Sequence, residues 1–182
     1  MRAIETGIRA AAAAILALGL AAAPAGQALA QTANRVDAKK DWSVFVGSDR
    51  DGKLCWIASR PTASVALRDG KPVSVRRGDI FLMVSVRPTR GVKNEVSMLS
   101  GYPFKPGSKV KARVGSSEYE MFTKGEGAWL SSAKEDDRMV ADMKRGATAV
   151  LTGVSSRGTV TKDTFSLLGF TAALAEAQAR CK

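Results

Sequence analysis

The 182-residue chain contains no histidine, and that one absence closes a wide range of chemistry. Ser-His-Asp and Cys-His nucleophilic catalysis, histidine general bases and histidine metal ligands are all excluded. Cysteine is scarce too. Cys55 and Cys181 stand alone, too few and too far apart for a structural zinc site. Aromatic residues make up only 6% of the chain, and the basic stretches lack interleaved rings on which bases would stack, so no nucleic-acid partner is expected. Beyond the N-terminus there is no apolar run long enough to span a bilayer. No motif implies a metal or a cofactor, and none is expected.

What is present begins with an address. Arg2 and Arg9 precede an uncharged, alanine-rich run from Ala10 to Ala25, and Ala28-Leu29-Ala30 ends the segment before Gln31. A basic start, a short apolar middle and small residues at −3 and −1 describe a secretory signal peptide, residues 1–30, cut after Ala30. The sixteen-residue alanine-rich run is shorter than the roughly twenty apolar residues a membrane anchor needs. The expected location is therefore the periplasm or the outer envelope, with no transmembrane segment after cleavage.

The mature chain, Gln31–Lys182, is long enough for one domain with a real core. Removing Arg2, Arg9 and Glu5 leaves 26 basic and 16 acidic residues, a net charge of +10. That excess favours acidic partners, although the charges are spread along the chain rather than gathered in one run. In an oxidising compartment two cysteines most often pair, so a Cys55–Cys181 disulfide is expected. It would close nearly the whole domain, and chain entropy assigns such a loop about 5 kcal/mol.

Residues 31–41 are polar and read as a flexible leader. From Trp42 the apolar period is two: Trp42, Val44 and Val46 alternate with Ser43, Phe45 and Gly47. Asp51-Gly52 supplies a turn into a strand over 53–59, and Asp69-Gly70 is a second turn signal. Ile80–Val86 is almost continuously apolar and reads as a central strand covered on both faces. A strand around Val96 and Met98 follows. Over 109–122 a two-residue Gly115-Ser116 turn of type II′ would set Val114 opposite Ser117, Arg113 opposite Glu118, Ala112 opposite Tyr119, Lys111 opposite Glu120 and Val110 opposite Met121. That register puts apolar pairs on one face and opposite charges on the other.

The period changes at Ser132–Gly146, a predicted helix with a Ser132/Glu135 capping box and Gly146 as its stop. Glu135, Asp136 and Asp137 lie at its positive end and Lys144 and Arg145 at its negative end. Strands around 147–154 and 163–168 precede a C-terminal helix from Thr171. There Leu174, Ala177 and Cys181 share a face. The expected architecture is a mainly β, single-domain β-sandwich of about eight short strands with one inserted helix and a C-terminal helix, residues 42–182.

Four motifs hint at chemistry, and each has a structural reading. Ser131-Ser132-Ala133-Lys134 has Ser-x-x-Lys spacing, but the other elements of penicillin-recognising enzymes are missing, so helix capping accounts for it. Arg77-Gly78-Asp79 spells an adhesive tripeptide, yet it leads directly into an apolar strand. Asp49 and Asp51 lack the remaining ligands of a calcium loop. Asp136 and Asp137 are accounted for by the helix dipole.

Several segments together resemble the invasion-associated locus B family of exported bacterial proteins. They include Asp41-Trp42-Ser43-Val44, Cys55-Trp56-Ile57-Ala58-Ser59-Arg60-Pro61, Arg76-Arg77-Gly78-Asp79-Ile80 and Gly101-Tyr102-Pro103-Phe104. Met143-Lys144-Arg145-Gly146 adds to the match, and the block from Gly158 to Leu174 is the most specific. The resemblance implies an exported, mainly β domain with a cysteine-bearing C-terminal end. Many relatives carry another cysteine near the first strands; Phe45 and Val46 stand there instead, so a second disulfide is absent. No family catalytic residues carry over.

The combined expectation is a non-enzymatic periplasmic or envelope binding module whose partner is an acidic envelope component. The alternatives are a surface adhesin or invasion factor meeting a host surface, and an enzyme of unknown class.

Overall fold

The structure is a computed structural model and describes residues 34–182; the expected signal peptide lies outside them. The strands are β1 (Asn34–Lys39), β2 (Trp42–Asp49), β3 (Gly52–Ser59), β4 (Ala63–Arg68), β5 (Lys71–Pro72), β6 (Phe81–Arg87), β7 (Val92–Leu99), β8 (Lys109–Val114), β9 (Ser117–Lys124), β10 (Gly127–Trp129), β11 (Thr148–Val154) and β12 (Val160–Ser166). Helix α1 (Ala133–Arg145) lies between β10 and β11, and α2 (Phe170–Arg180) ends the chain.

The class is mainly β with two helices, as expected, but two details of the expected sandwich are corrected. Among the described residues there are twelve strands rather than about eight, and all belong to one antiparallel sheet ordered β1-β2-β3-β6-β7-β10-β9-β8-β11-β12-β4-β5. Chain connectivity shows how a single sheet encloses a core. Strands β3 and β4 are third and eleventh in that order, yet Arg60, Pro61 and Thr62 alone join them. Eight strand spacings in a flat sheet would be roughly 38 Å. A link of three residues reaches only ~15 Å between its flanking Cα atoms. The sheet must therefore bend back on itself, as long twisted sheets do. Its concave face does the work of two layers.

The additional strands are β1, β4, β5 and β10. Residues Asn34–Lys39 were expected within the flexible leader 31–41; they form β1 instead, pairing with β2 from Asn34↔Val46 to Lys39↔Trp42. An edge strand needs backbone partners rather than apolar side chains, and its charges keep that edge from pairing further. β5 and β10 are two and three residues long, too short to show a period.

The β8–β9 hairpin has the expected register, with Val110↔Met121, Lys111↔Glu120, Ala112↔Tyr119, Arg113↔Glu118 and Val114↔Ser117. Gly115 takes φ +58° while Ser116 is not among the residues of positive φ, which is the type II′ pattern. At α1, Ser132 Oγ accepts from the Glu135 N–H at 3.3 Å. The Glu135 carboxylate reaches back to Ser131 rather than Ser132, accepting from its N–H and Oγ, so the reciprocal half of the box is shifted by one residue. Gly146 does not adopt the left-handed conformation expected of a helix stop (φ −85°). Packing selects it, because a Cβ there would come within 2.9 Å of Val114.

The core lines the concave face, with Trp42, Ile57, Leu82, Met98, Met121, Leu151 and Phe165 fully buried. Helix α2 closes one end. Phe170 meets Trp42 edge-on at 5.0 Å between ring centres, and Trp42 Nε1 donates to the Ser166 carbonyl at 3.0 Å. Cys55 on β3 and Cys181 just beyond α2 are joined in a disulfide with a Cα–Cα distance of 5.9 Å, which fastens the C-terminal helix to the sheet.

Candidate functional site

Inward-facing charge is rare in a core, and this core holds one. Asp163 on β12 shares its face with Thr161 and Phe165, and its side chain is fully buried (0% exposed). The partner is Arg77, 8% exposed, from the irregular segment between β5 and β6. Arg77 Nη1 and Nη2 donate to the two oxygens of Asp163, each at 2.7 Å, a bidentate geometry. Nε and Nη2 also donate to the Ser100 carbonyl at 3.0 and 2.7 Å. Ser64 Oγ donates to Asp163 at 2.6 Å. The guanidinium lies 4.9 Å from the centre of the Tyr102 ring, and the Tyr102 hydroxyl meets Thr161 Oγ1 at 2.6 Å. Burial raises the Tyr102 phenol above its ordinary value, so it stays protonated at neutral pH. The group forms a rigid polar platform in which both charges are compensated.

Above this platform opens a cleft of about 460 Å³. Arg68, Arg76 and Arg157 line it together with Tyr102, Glu126 and several serines. Arg68 Nη2 donates to Thr159 Oγ1 at 2.9 Å, which orients that guanidinium. Arg76 and Arg157 are exposed and make no ion pair among the described residues. Three arginines face a single glutamate there, because Asp163 is already matched by Arg77. Guanidinium forks suit the paired oxygens of carboxylates and phosphates. The concave shape concentrates their field.

Comparison with known proteins assigns the relationship. The family model described as "Invasion associated locus B (IalB) protein" matches residues 42–178, most of the chain. The chain belongs to the invasion associated locus B family. Among solved structures, the invasion associated protein B of Bartonella henselae is similar in fold, with a TM-score of 0.53 at 15% identity. The similarity covers 79% of this chain and 96% of that one. No curated protein matches the chain.

Within this family member, the motifs noted in the sequence have structural employment. Arg77 of the Arg77-Gly78-Asp79 tripeptide is buried in the Asp163 pair, and Asp79 meets the exposed Arg60 at 3.0 Å. An adhesive tripeptide needs both ends free, and here neither is. Ser131 and Ser132 serve the start of α1, so the Ser-x-x-Lys spacing is spent on capping. Asp49 accepts from the Asp51 N–H at 2.9 Å and faces Arg87 at 3.6 Å, while Asp51 pairs with Arg90. Asp136 and Asp137 tie α1 to β7 by accepting from the Val96 N–H at 2.9 Å and from Asn94 Nδ2 at 2.7 Å. No group of three or more acidic or cysteine side chains placed to hold a metal occurs among the described residues.

Sequence reading missed the cleft residues Arg68, Arg157 and Tyr102, and it missed Asp163. One signal was available: in the strand Val160–Ser166, Asp163 has the parity of Thr161 and Phe165, so an acid was bound to point inward. Nothing local marks Arg68 or Arg157 as neighbours.

Proposed function

We propose that this protein is a non-catalytic binding module of the bacterial envelope that holds an acidic envelope component in the arginine-lined cleft. The observation that carries this reading is the convergence of Arg68, Arg76 and Arg157, from three separate segments, on one cavity with a single opposing glutamate. The signal-like N-terminus, the Cys55–Cys181 disulfide and the net charge of the mature chain support export to a compartment rich in phosphorylated glycolipid and acidic polymer. The Arg77–Asp163 pair is not itself the anion site, since its guanidinium is saturated; it stiffens the floor.

Binding of the mature protein to vesicles carrying phosphorylated lipopolysaccharide tests the reading. Affinity should fall steeply as salt rises towards 1 M, because exposed charges are screened over ~3 Å at that strength. It should drop about tenfold or more in an Arg68→Ala, Arg157→Ala double variant. Salt-independent affinity, or an unaffected double variant, would defeat it. Protease protection in intact cells separates a periplasmic protein from a surface adhesin, which would be cleaved.

A further inference from the structure

The convex face of the sheet is unusual for its aromatic content, given how few aromatics the chain has. Strands β3, β6, β7 and β10 are consecutive neighbours, and their outward residues form two rows. One row runs Phe45↔Trp56↔Ser85↔Glu95; the next runs Ala58↔Met83↔Ser97↔Trp129↔Phe122. Each tryptophan is braced from one side. Trp56 stacks on Phe45 at 5.1 Å with planes 7° apart. Trp129 lies against its own strand over Gly127, where a Cβ would come within 2.1 Å of the indole. Phe122 tilts against the same ring at 5.9 Å. Glycine at 127 is therefore what allows the Trp129 ring to lie flat on the sheet.

Between the two indoles is a cleft of about 410 Å³. Ser85 and Ser97 line it, and among the described residues neither hydroxyl is hydrogen-bonded to another group of the protein nor sealed from solvent. Two hydroxyls open to one cleft, with their bonds not taken up by the protein, can each donate to and accept from a ligand seated between the indoles. The charged groups at the cleft wall are already matched. Arg87 holds Glu95 at 2.8 Å and faces Asp49 at 3.6 Å. The cleft therefore offers no net charge for an anion and no free cation, in contrast to the arginine-lined cleft.

We propose that this convex-face cleft binds a neutral glycan strand, with pyranose rings lying on Trp56 and Trp129 and ring hydroxyls reaching Ser85, Ser97 and the Arg87–Glu95 pair. The chemistry fits such a ligand on each count. A pyranose presents an apolar C–H face suited to the electron-rich face of an indole, and a rim of hydroxyls that needs donors and acceptors in turn. The two tryptophans stand three strand spacings apart, roughly 14 Å, which suits an extended chain rather than one sugar. The groove also continues past Trp129 towards the start of α1, since Glu95 and Trp129 line both this cleft and the larger cavity beyond it. This site is separate from the arginine-lined cleft and does not depend on the reading given to it.

The test uses the mature, disulfide-bonded protein and a panel of neutral hexasaccharides with β-1,4, α-1,4 and β-1,3 linkages, monitored by tryptophan fluorescence and calorimetry. At least one should bind at millimolar concentration or tighter, with affinity indifferent to salt. Trp129→Ala should weaken it about tenfold or more. Because removing an indole could disturb the sheet, Ser97→Ala and Ser85→Ala provide a milder check and should each weaken binding severalfold without altering the melting temperature. Arg68→Ala with Arg157→Ala should leave glycan binding unchanged, which keeps failure here distinct from failure of the anion reading. No binding across the panel, or binding that survives the Trp129 and both serine substitutions, overturns the proposal.

Discussion

The β8–β9 hairpin and the irregular segment between β5 and β6 both end in an ion pair, and they could hardly differ more. In the hairpin, Lys109 Nζ meets Glu120 at 2.5 Å with both side chains more than half exposed, across a turn of two residues. Arg77 finds Asp163 86 positions away, where both side chains are almost wholly buried. The first contact follows from a local register; the second exists only once the sheet has bent round. Their energetics should diverge accordingly. Exposed pairs contribute little because water and salt compete. A buried charge is tolerable only while its partner is in place.

The largest expected effect comes from separating the buried pair. Asp163→Ala leaves the Arg77 guanidinium without its counter-charge and should cost about 3–5 kcal/mol of unfolding free energy. Replacing both members, as Arg77→Met with Asp163→Leu, should recover much of that loss, since neither charge then remains to be solvated. Urea unfolding of the two variants against the parent measures the difference. A single variant as stable as the parent would mean that water reaches the site freely. The cleft above it should also lose shape in Asp163→Ala, because Arg77 carries the Ser100 carbonyl and the Tyr102 ring.

Next in size is the covalent long-range link. Cys55 and Cys181 are 126 positions apart, and removing the cross-link with Cys55→Ser and Cys181→Ser should cost about 2–5 kcal/mol. Helix α2 should loosen first, since the disulfide secures its end to β3. The check is hydrogen exchange at residues 170–180: protection there should drop further than protection within the β8–β9 hairpin. Equal loss in both regions would argue for one cooperative unit without a distinct helical stage.

The same contrast decides what was legible in the sequence. The hairpin could be read residue by residue because alternation, a glycine turn and opposite charges all demand one register. The start of α1 was legible for the same reason: Ser132 and the acidic first turn act within four residues. The single curled sheet was not. Its closure depends on β4 returning to β12 through a three-residue link, and nothing within β4 says which strand it will join. The strand β1 was hidden by its polarity, and β10 by its length. On the binding surfaces, the outward parity of Phe45 was visible beside Trp42 and Val44, and so was the inward parity of Asp163. The convergence of Arg68, Arg76 and Arg157 was not, because it is a property of the closed sheet.

A smaller effect lies where α1 meets β7, midway between local and long-range. Burial, opposed by the Val96 N–H and reinforced by Glu95, Asp137 and Glu135, pushes Asp136 from its ordinary value near 3.8 up to about 6. The folded state therefore holds this proton more tightly than the unfolded chain does. Its stabilising contribution is complete below about pH 4 and is lost as pH rises to about 6. Asp136→Asn keeps an acceptor for Val96 but cannot ionise. Its stability relative to the parent should rise between pH 4 and 6, by on the order of 1 kcal/mol after allowing for partial solvent exposure. Denaturation midpoints at pH 4, 5, 6 and 7 check this. A difference that stayed flat across the series would show that Asp136 is solvated enough to ionise freely.

The smallest effect should belong to the hairpin's own ion pair. Each partner shifts the other in the expected sense, Glu120 downward and Lys109 upward, chiefly through their hydrogen bond. Both are open to solvent, and holding two long side chains together opposes the Coulomb gain. Lys109→Ala or Glu120→Ala should therefore change stability less than any substitution above, and added salt should shrink the change further. A double-mutant cycle isolates the coupling between them. If that coupling approached the cost of Asp163→Ala, exposure would not be what separates the two regions, and the hairpin would owe its register to charge as well as to its turn and its apolar face.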